Sequence, residues 1–217
     1  MKIASFDIDA QKGFTPLCPN ELPVPGGDQI GAALNHLASH ASLRLGSKDA
    51  HSPQAAWVVP TAEQMLQPLA LANADLTWVS HCVPGTPGFE LLDELPKPLE
   101  YDFFVWKGIE PDLHPYGACY HDLADTRSTG AIEFLRQQAV DWVLVGGLAL
   151  DYCVKTTALQ LSRAGFKVGV YLPACRAIAA NTADQACAQL REAGVALYAD
   201  AGALATALAN AKKEYWT

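Results

Sequence analysis

The chain has 217 residues, of which 50% are hydrophobic and 18% charged, with a net charge of −8. That composition describes a globular chain with one sizeable core and excludes a disordered one. It also excludes a general nucleic-acid binder, which needs a basic field, and a membrane span, because no apolar run approaches roughly 18–20 residues.

The first predicted strand is Ile3 to Ile8, with Asp7 and Asp9 at its end. Two acids this early interrupt any signal-like apolar segment, so a cytoplasmic protein is expected. A Pro/Gly-rich stretch from Cys18 leads to a helix carrying Ile30, Leu34, Leu37 and Ala41 on one face. Leu43 to Ser47 predicts a strand that runs into Asp49 and His51. Residues 52–75 read as an irregular excursion with a short helix, and Leu76 to Cys82 as a strand ending at His81. Pro84–Gly88 is a loop by composition. Phe103 to Trp106 predicts a strand followed by Lys107. Ala131, Ile132, Leu135 and Ala139 predict a helix capped by Ser128 or Thr129. Trp142 to Val145 is a strongly apolar strand, followed by Gly146-Gly147 and a helix with Val154, Ala158 and Leu161 on one face. Lys167–Leu172, Thr182–Ala193 and Val195–Tyr198 predict strand, helix and strand.

Strands alternating with helices predict a three-layer αβα fold: a mostly parallel sheet of about six strands, helices on both faces. One domain over residues 1–217 is expected, with an irregular excursion around 49–100. Asp9, Asp49, His51, His81, Lys107 and Cys153 all fall at or just past the carboxyl ends of predicted strands. In open α/β sheets that edge binds ligands.

Six cysteines, with no CxxC pair, predict free thiols. A lone free cysteine is usually core. Cys153 differs because it opens a predicted helix, whose N-terminus favours a thiolate and offers N–H groups to an oxyanion. Asp9 could take the thiol proton and Lys107 could hold that acid ionised. Asp49-Ala-His51 with His81 makes a mixed N/O set suited to Zn²⁺, Fe²⁺ or Mn²⁺, although a turn Asp and two unrelated histidines would read the same way. Phe14, Trp78, Tyr116 and Tyr152 flank these residues and could wall a flat aromatic ligand.

The ordered set of motifs resembles the nicotinamidases and pyrazinamidases of the isochorismatase-like cysteine hydrolase superfamily. Asp9-Ala-Gln11-Lys-Gly-Phe14, Asp49-Ala-His51, His81-Cys-Val-Pro-Gly-Thr-Pro-Gly88, Trp106-Lys107-Gly108 and Gly147-Leu-Ala-Leu-Asp-Tyr-Cys-Val154 carry the likeness. The resemblance implies hydrolysis of nicotinamide, and of pyrazinamide, in NAD salvage. It implies Cys153 as nucleophile, Asp9 as general base and Lys107 as its partner. It implies one metal ion on Asp49, His51 and His81: Zn²⁺ first, with Fe²⁺ or Mn²⁺ as alternatives. It further implies a cis Leu148–Ala149 peptide and an oxyanion hole from the amides of Ala149 and Cys153. Phe14, Trp78, Tyr116 and Tyr152 match pocket positions. The implied partner is small-molecule nicotinamide, not nucleic acid or membrane, and a homo-oligomer stays open.

Three positions depart from the family pattern. Residues 52–58 lack the further histidine some members carry, so water or substrate is expected to complete the metal, with Ser52 or Glu63 contributing indirectly. Pro173 replaces an Asp, which leaves Arg176 without its expected partner. Leu150 replaces a Thr. Two rival readings remain: an amidase of the same fold acting on another small amide or carbamoyl compound, and a non-catalytic binder.

Overall fold

The computed structural model describes residues 1–214. Six parallel strands form the main sheet in the order β10-β9-β8-β1-β2-β7. They are β1 (Ile3–Ile8), β2 (Leu43–Asp49), β7 (Phe103–Lys107), β8 (Trp142–Leu148), β9 (Lys167–Arg176) and β10 (Ala196–Tyr198). Five helices pack on it: α1 (Gly31–Ala38), α2 (Ala131–Gln137), α3 (Lys155–Arg163), α4 (Ala180–Glu192) and α5 (Ala201–Glu214).

Alternation along the strands builds two cores. Ala4, Phe6 and Ile8 of β1, with Val143 and Val145 of β8, face α2, α3 and α4. Trp142 and Leu144 of β8 point the other way, toward α1 and α5. Strands β1 and β8 therefore bury both faces, which explains the nearly unbroken apolar run 142–145. Ile30, Leu34 and Leu37 are fully buried, and each such side chain stabilises the fold by about 1.5–3 kcal/mol. Gly147 has φ +138°, and a Cβ there would meet the Ile8 carbonyl oxygen at 2.0 Å. Only glycine lets β8 lie so close to β1 at this point.

The excursion between β2 and β7 holds four short strands: β3 (Val58–Val59), β4 (Pro68–Leu71), β5 (Ala74–Leu76) and β6 (Trp78–Val79). The strand expected over Leu76–Cys82 is thus not a sheet strand. It breaks at Thr77, whose hydroxyl bonds Gln64 O and Gln67 N, and its halves pair separately, β5 with β4 and β6 with β3. Ala41 and Ala139 lie beyond the ends of α1 and α2. Gly130, not Ser128 or Thr129, stands at the N-cap of α2. All six cysteines are free. No described helix is long and apolar enough to cross a membrane.

Candidate active site

The site forms where β1, β2, β7 and β8 end. Strand β1 ends at Ile8, and Asp9 turns out of the sheet with φ +44°. Ser47, two residues before Asp49 on β2, holds the turn: its hydroxyl donates to Asp9 Oδ1 (2.7 Å) and accepts from the Asp9 amide (3.2 Å). Asp49 and Lys107 are register partners across β2 and β7, so their side chains emerge together. Buried Gln11 continues the connection between β1 and β2. Its side-chain amide donates to Asp49 O (2.8 Å) and accepts from Asp49 N (2.7 Å).

Lys107 is fully buried and joins both acids. Its Nζ lies 3.0 Å from Asp9 Oδ2, contacts Asp49 Oδ1, and donates to Pro115 O at 3.1 Å. Cys153 Sγ is 3.9 Å from the same Nζ. Cys153 sits in a π-helical turn (Leu150–Val154) that feeds α3, and π turns recur at functional sites. The Leu148–Ala149 peptide just before it is cis.

Charge here is set by burial and by proximity. Burial opposes the Lys107 charge, but Asp49 and then Asp9 hold the ammonium well above its usual range. Burial also opposes ionisation of Asp49; Lys107 and then His51 overcome it and hold the carboxyl well below its usual range. Asp9 is pushed up to about 6 by burial, against Lys107 and with Asp49. Burial raises the Cys153 thiol well above its ordinary value; Lys107 opposes this and Asp9 adds to it. Burial and the two carboxylates thus work against the thiolate that the helix start favours.

A histidine cluster adjoins this group. His51 Nδ1 donates to Gly108 O (3.1 Å) and His81 Nδ1 to Val79 O (2.7 Å). Each bond leaves an Nε2 lone pair for a ligand. His51 Nε2 has no hydrogen-bond partner and lies 3.4 Å from Asp49 Oδ2. His114, which the sequence reading passed over, completes a buried set: one nitrogen from each of His51, His81 and His114 lies within 4.8 Å of the others. Burial holds His81 down to about 3 and His114 well below the usual range, so both present the neutral, coordinating form. Of the two indirect contributors expected, Ser52 accepts from the Gln54 amide and Glu63 is exposed. Neutral imidazoles beside an ionised carboxylate form a donor set that fits a divalent cation.

Gly108 backs His51. It has φ +73°, and a Cβ there would lie 2.4 Å from the His51 ring. Gly108→Ala is expected to destabilise the chain by about 1–3 kcal/mol through the left-handed backbone and the displaced imidazole. A urea midpoint unchanged from the parent would contradict this account of the turn.

Between the two groups lies a small cavity. Phe14, Trp78, Tyr116 and Tyr152 line it, with Cys153, Ala149, Asp49, His81 and His114. Leu22 and Ile178 add apolar wall that the sequence reading missed. Trp78 stands edge-on to Tyr152 at 5.0 Å and donates to Tyr116 OH, which donates to Asp75 Oδ1. Arg176 is not without a partner: its Nη1 donates to Pro173 O and Cys175 O. Leu150 is buried in the core under α3, an apolar environment where a hydroxyl would need an acceptor.

The isochorismatase domain model matches residues 4–201. A nicotinamidase of Acinetobacter baylyi is 31% identical over 177 residues, covering 80% of this chain and 81% of that protein. The structure of an Acinetobacter baumannii nicotinamidase/pyrazinamidase superposes with a TM-score of 0.80 at 28% identity, covering 91% and 95%. A Pyrococcus horikoshii pyrazinamidase, solved in complex with zinc, gives 0.69 at 27%, covering 91% and 98%. The chain belongs to the isochorismatase family of hydrolases.

Proposed function

We propose that this hydrolase converts nicotinamide to nicotinate and ammonia, and accepts pyrazinamide, in NAD salvage. The observation that carries the proposal is a cavity whose wall brings Cys153 together with histidines of a cluster that could hold a cation, between aromatic side chains. Its aromatic walls suit a flat ring carrying a carboxamide.

In this reading Asp9 takes the proton from the Cys153 thiol as sulfur attacks the carboxamide carbon. The oxyanion is received by the amides of Ala149 and Cys153. Asp9 returns the proton to the leaving nitrogen, the C–N bond breaks and ammonia departs. Asp9 then deprotonates water, which attacks the thioester; the C–S bond breaks and the proton goes back to sulfur. Lys107 keeps Asp9 placed and its charge balanced throughout. Phe14, Trp78, Tyr116 and Tyr152 hold the ring. Asp49, His51 and His81 would hold Zn²⁺, with Fe²⁺ or Mn²⁺ as alternatives; the bound ion supplies a Lewis-acid contact for a pyridine nitrogen.

Ammonia release measured on nicotinamide and pyrazinamide, against aliphatic amides and carbamoyl compounds, tests the proposal. Release from the pyridine and pyrazine amides alone is expected, lost on chelation. Equal turnover of aliphatic amides would overturn it. Because Asp9 must be ionised to accept a proton and is held up to about 6, kcat/KM is expected to climb about tenfold per pH unit below 6 and level off above. A profile flat between pH 4.5 and 7 would rule out Asp9 as the base.

A further inference from the structure

His114 is buried, 4% exposed, yet neither ring nitrogen has a hydrogen-bond partner. Buried polar groups without partners are rare, and each costs about 1–3 kcal/mol. The surroundings explain why no protein acceptor reaches it. The ring is wedged among other rings: edge-on to Trp57 at 4.3 Å and to Tyr116 at 5.1 Å, stacked with Trp78 at 5.7 Å. Trp57 is itself fixed by its indole N–H on Leu113 O (2.8 Å), and the His114 amide is anchored on Asn73 O (2.7 Å). The imidazole is thus held rigidly with its nitrogens bare. On its remaining side it stacks on His51 at 5.0 Å and 28°, with His81 at 5.8 Å.

A purely structural ring in this cage would be served better by phenylalanine, which has no nitrogen to desolvate. We infer that His114 is a direct ligand of the divalent cation held by Asp49, His51 and His81, so that the site presents three imidazoles and one carboxylate. The inference rests on the metal site proposed above. It gives His114 a reason to be a histidine, and it brings a donor from the loop after β7 to face those from β2 and from the loop after β6.

The test is metal binding by the full chain, not turnover. His114→Phe keeps the ring volume and the stack on Trp78; His114→Gln keeps a polar end. Zn²⁺ affinity is measured by chelator competition, and coordination by the visible absorption of the Co²⁺-loaded protein. Both variants are expected to bind Zn²⁺ at least about tenfold more weakly, no less than the loss typical of groups that only support a ligand. Their Co²⁺ bands are expected to shift in energy and intensity, with circular dichroism unchanged. Wild-type Zn²⁺ affinity and an unaltered Co²⁺ spectrum in His114→Phe would overturn the inference, and a raised KM with that result would make His114 a substrate contact. If His51→Ala loses the ion while His114→Phe keeps it, only His114's role fails. If the parent chain binds no ion, the metal site itself fails and His114's role with it.

Discussion

Cys153→Ala is expected to release ammonia from nicotinamide about 10⁴–10⁶-fold more slowly than the parent, with its metal content and far-UV circular dichroism retained. The magnitude is that of removing a covalent nucleophile while binding and oxyanion contacts persist. The structure sharpens why the loss should be so complete. Burial holds the Cys153 thiol up, so in the proposed reaction sulfur depends on Asp9 for removal of its proton, with Lys107 3.9 Å away. An alanine leaves Asp9 with no proton to take and no other nucleophile in the cavity wall near it. Turnover within tenfold of the parent would mean that water, not sulfur, attacks the amide.

Lys107→Met should be the costliest substitution for stability. The side chain is fully buried and in contact with two buried carboxylates. Methionine preserves most of the volume but strands the acids, and breaking a buried ion pair from one side costs about 3–5 kcal/mol. The sign with pH follows. Without the ammonium, Asp49 loses its main source of ionisation and Asp9, already up to about 6 with Lys107 present, moves higher. The folded chain then binds protons that the unfolded chain releases above about pH 4, so stability falls as pH rises and returns as pH drops. Urea unfolding of chelator-treated protein should show the full deficit at pH 7 and a smaller one at pH 5. A deficit that grows on acidification, or none at pH 7, would refute this account of the Asp9–Lys107–Asp49 cluster.

The central strands were legible because they are buried on both faces and read as largely apolar runs. Trp142–Val145 is the clearest case, and the elements flanking it differ from expectation only at their ends. The excursion was not legible. Leu76–Cys82 has a strand's composition, but Thr77 ties it to Gln64 and Gln67 and splits it into fragments too short for any periodicity to register. Of the candidate site, the residues in motifs are brought together by the sheet's edge. His114 was missed because it sits alone in Asp-Leu-His-Pro-Tyr, with no spacing that suggests a ligand. Its one signal was Tyr116, two residues on and already singled out, since alternate residues of an extended segment face the same side. The burial that opposes a Cys153 thiolate was not legible either: helix position can be read from a sequence, whereas desolvation cannot.

Gln11 gives the site a mechanical property of its own. By exchanging two hydrogen bonds with the backbone of Asp49, its carboxamide imitates a peptide unit, the pairing two strand residues make in an antiparallel ladder. The main chain of β1 can therefore leave the sheet at Asp9 without orphaning the neighbouring strand, because a side chain takes over where the backbone stops. Asp9 gains freedom to turn out of the sheet while the carboxylate beside it stays locked in register. Only a primary amide at this position offers a donor and an acceptor at that spacing, and a glutamate there would set its negative charge against the Asp49 carbonyl.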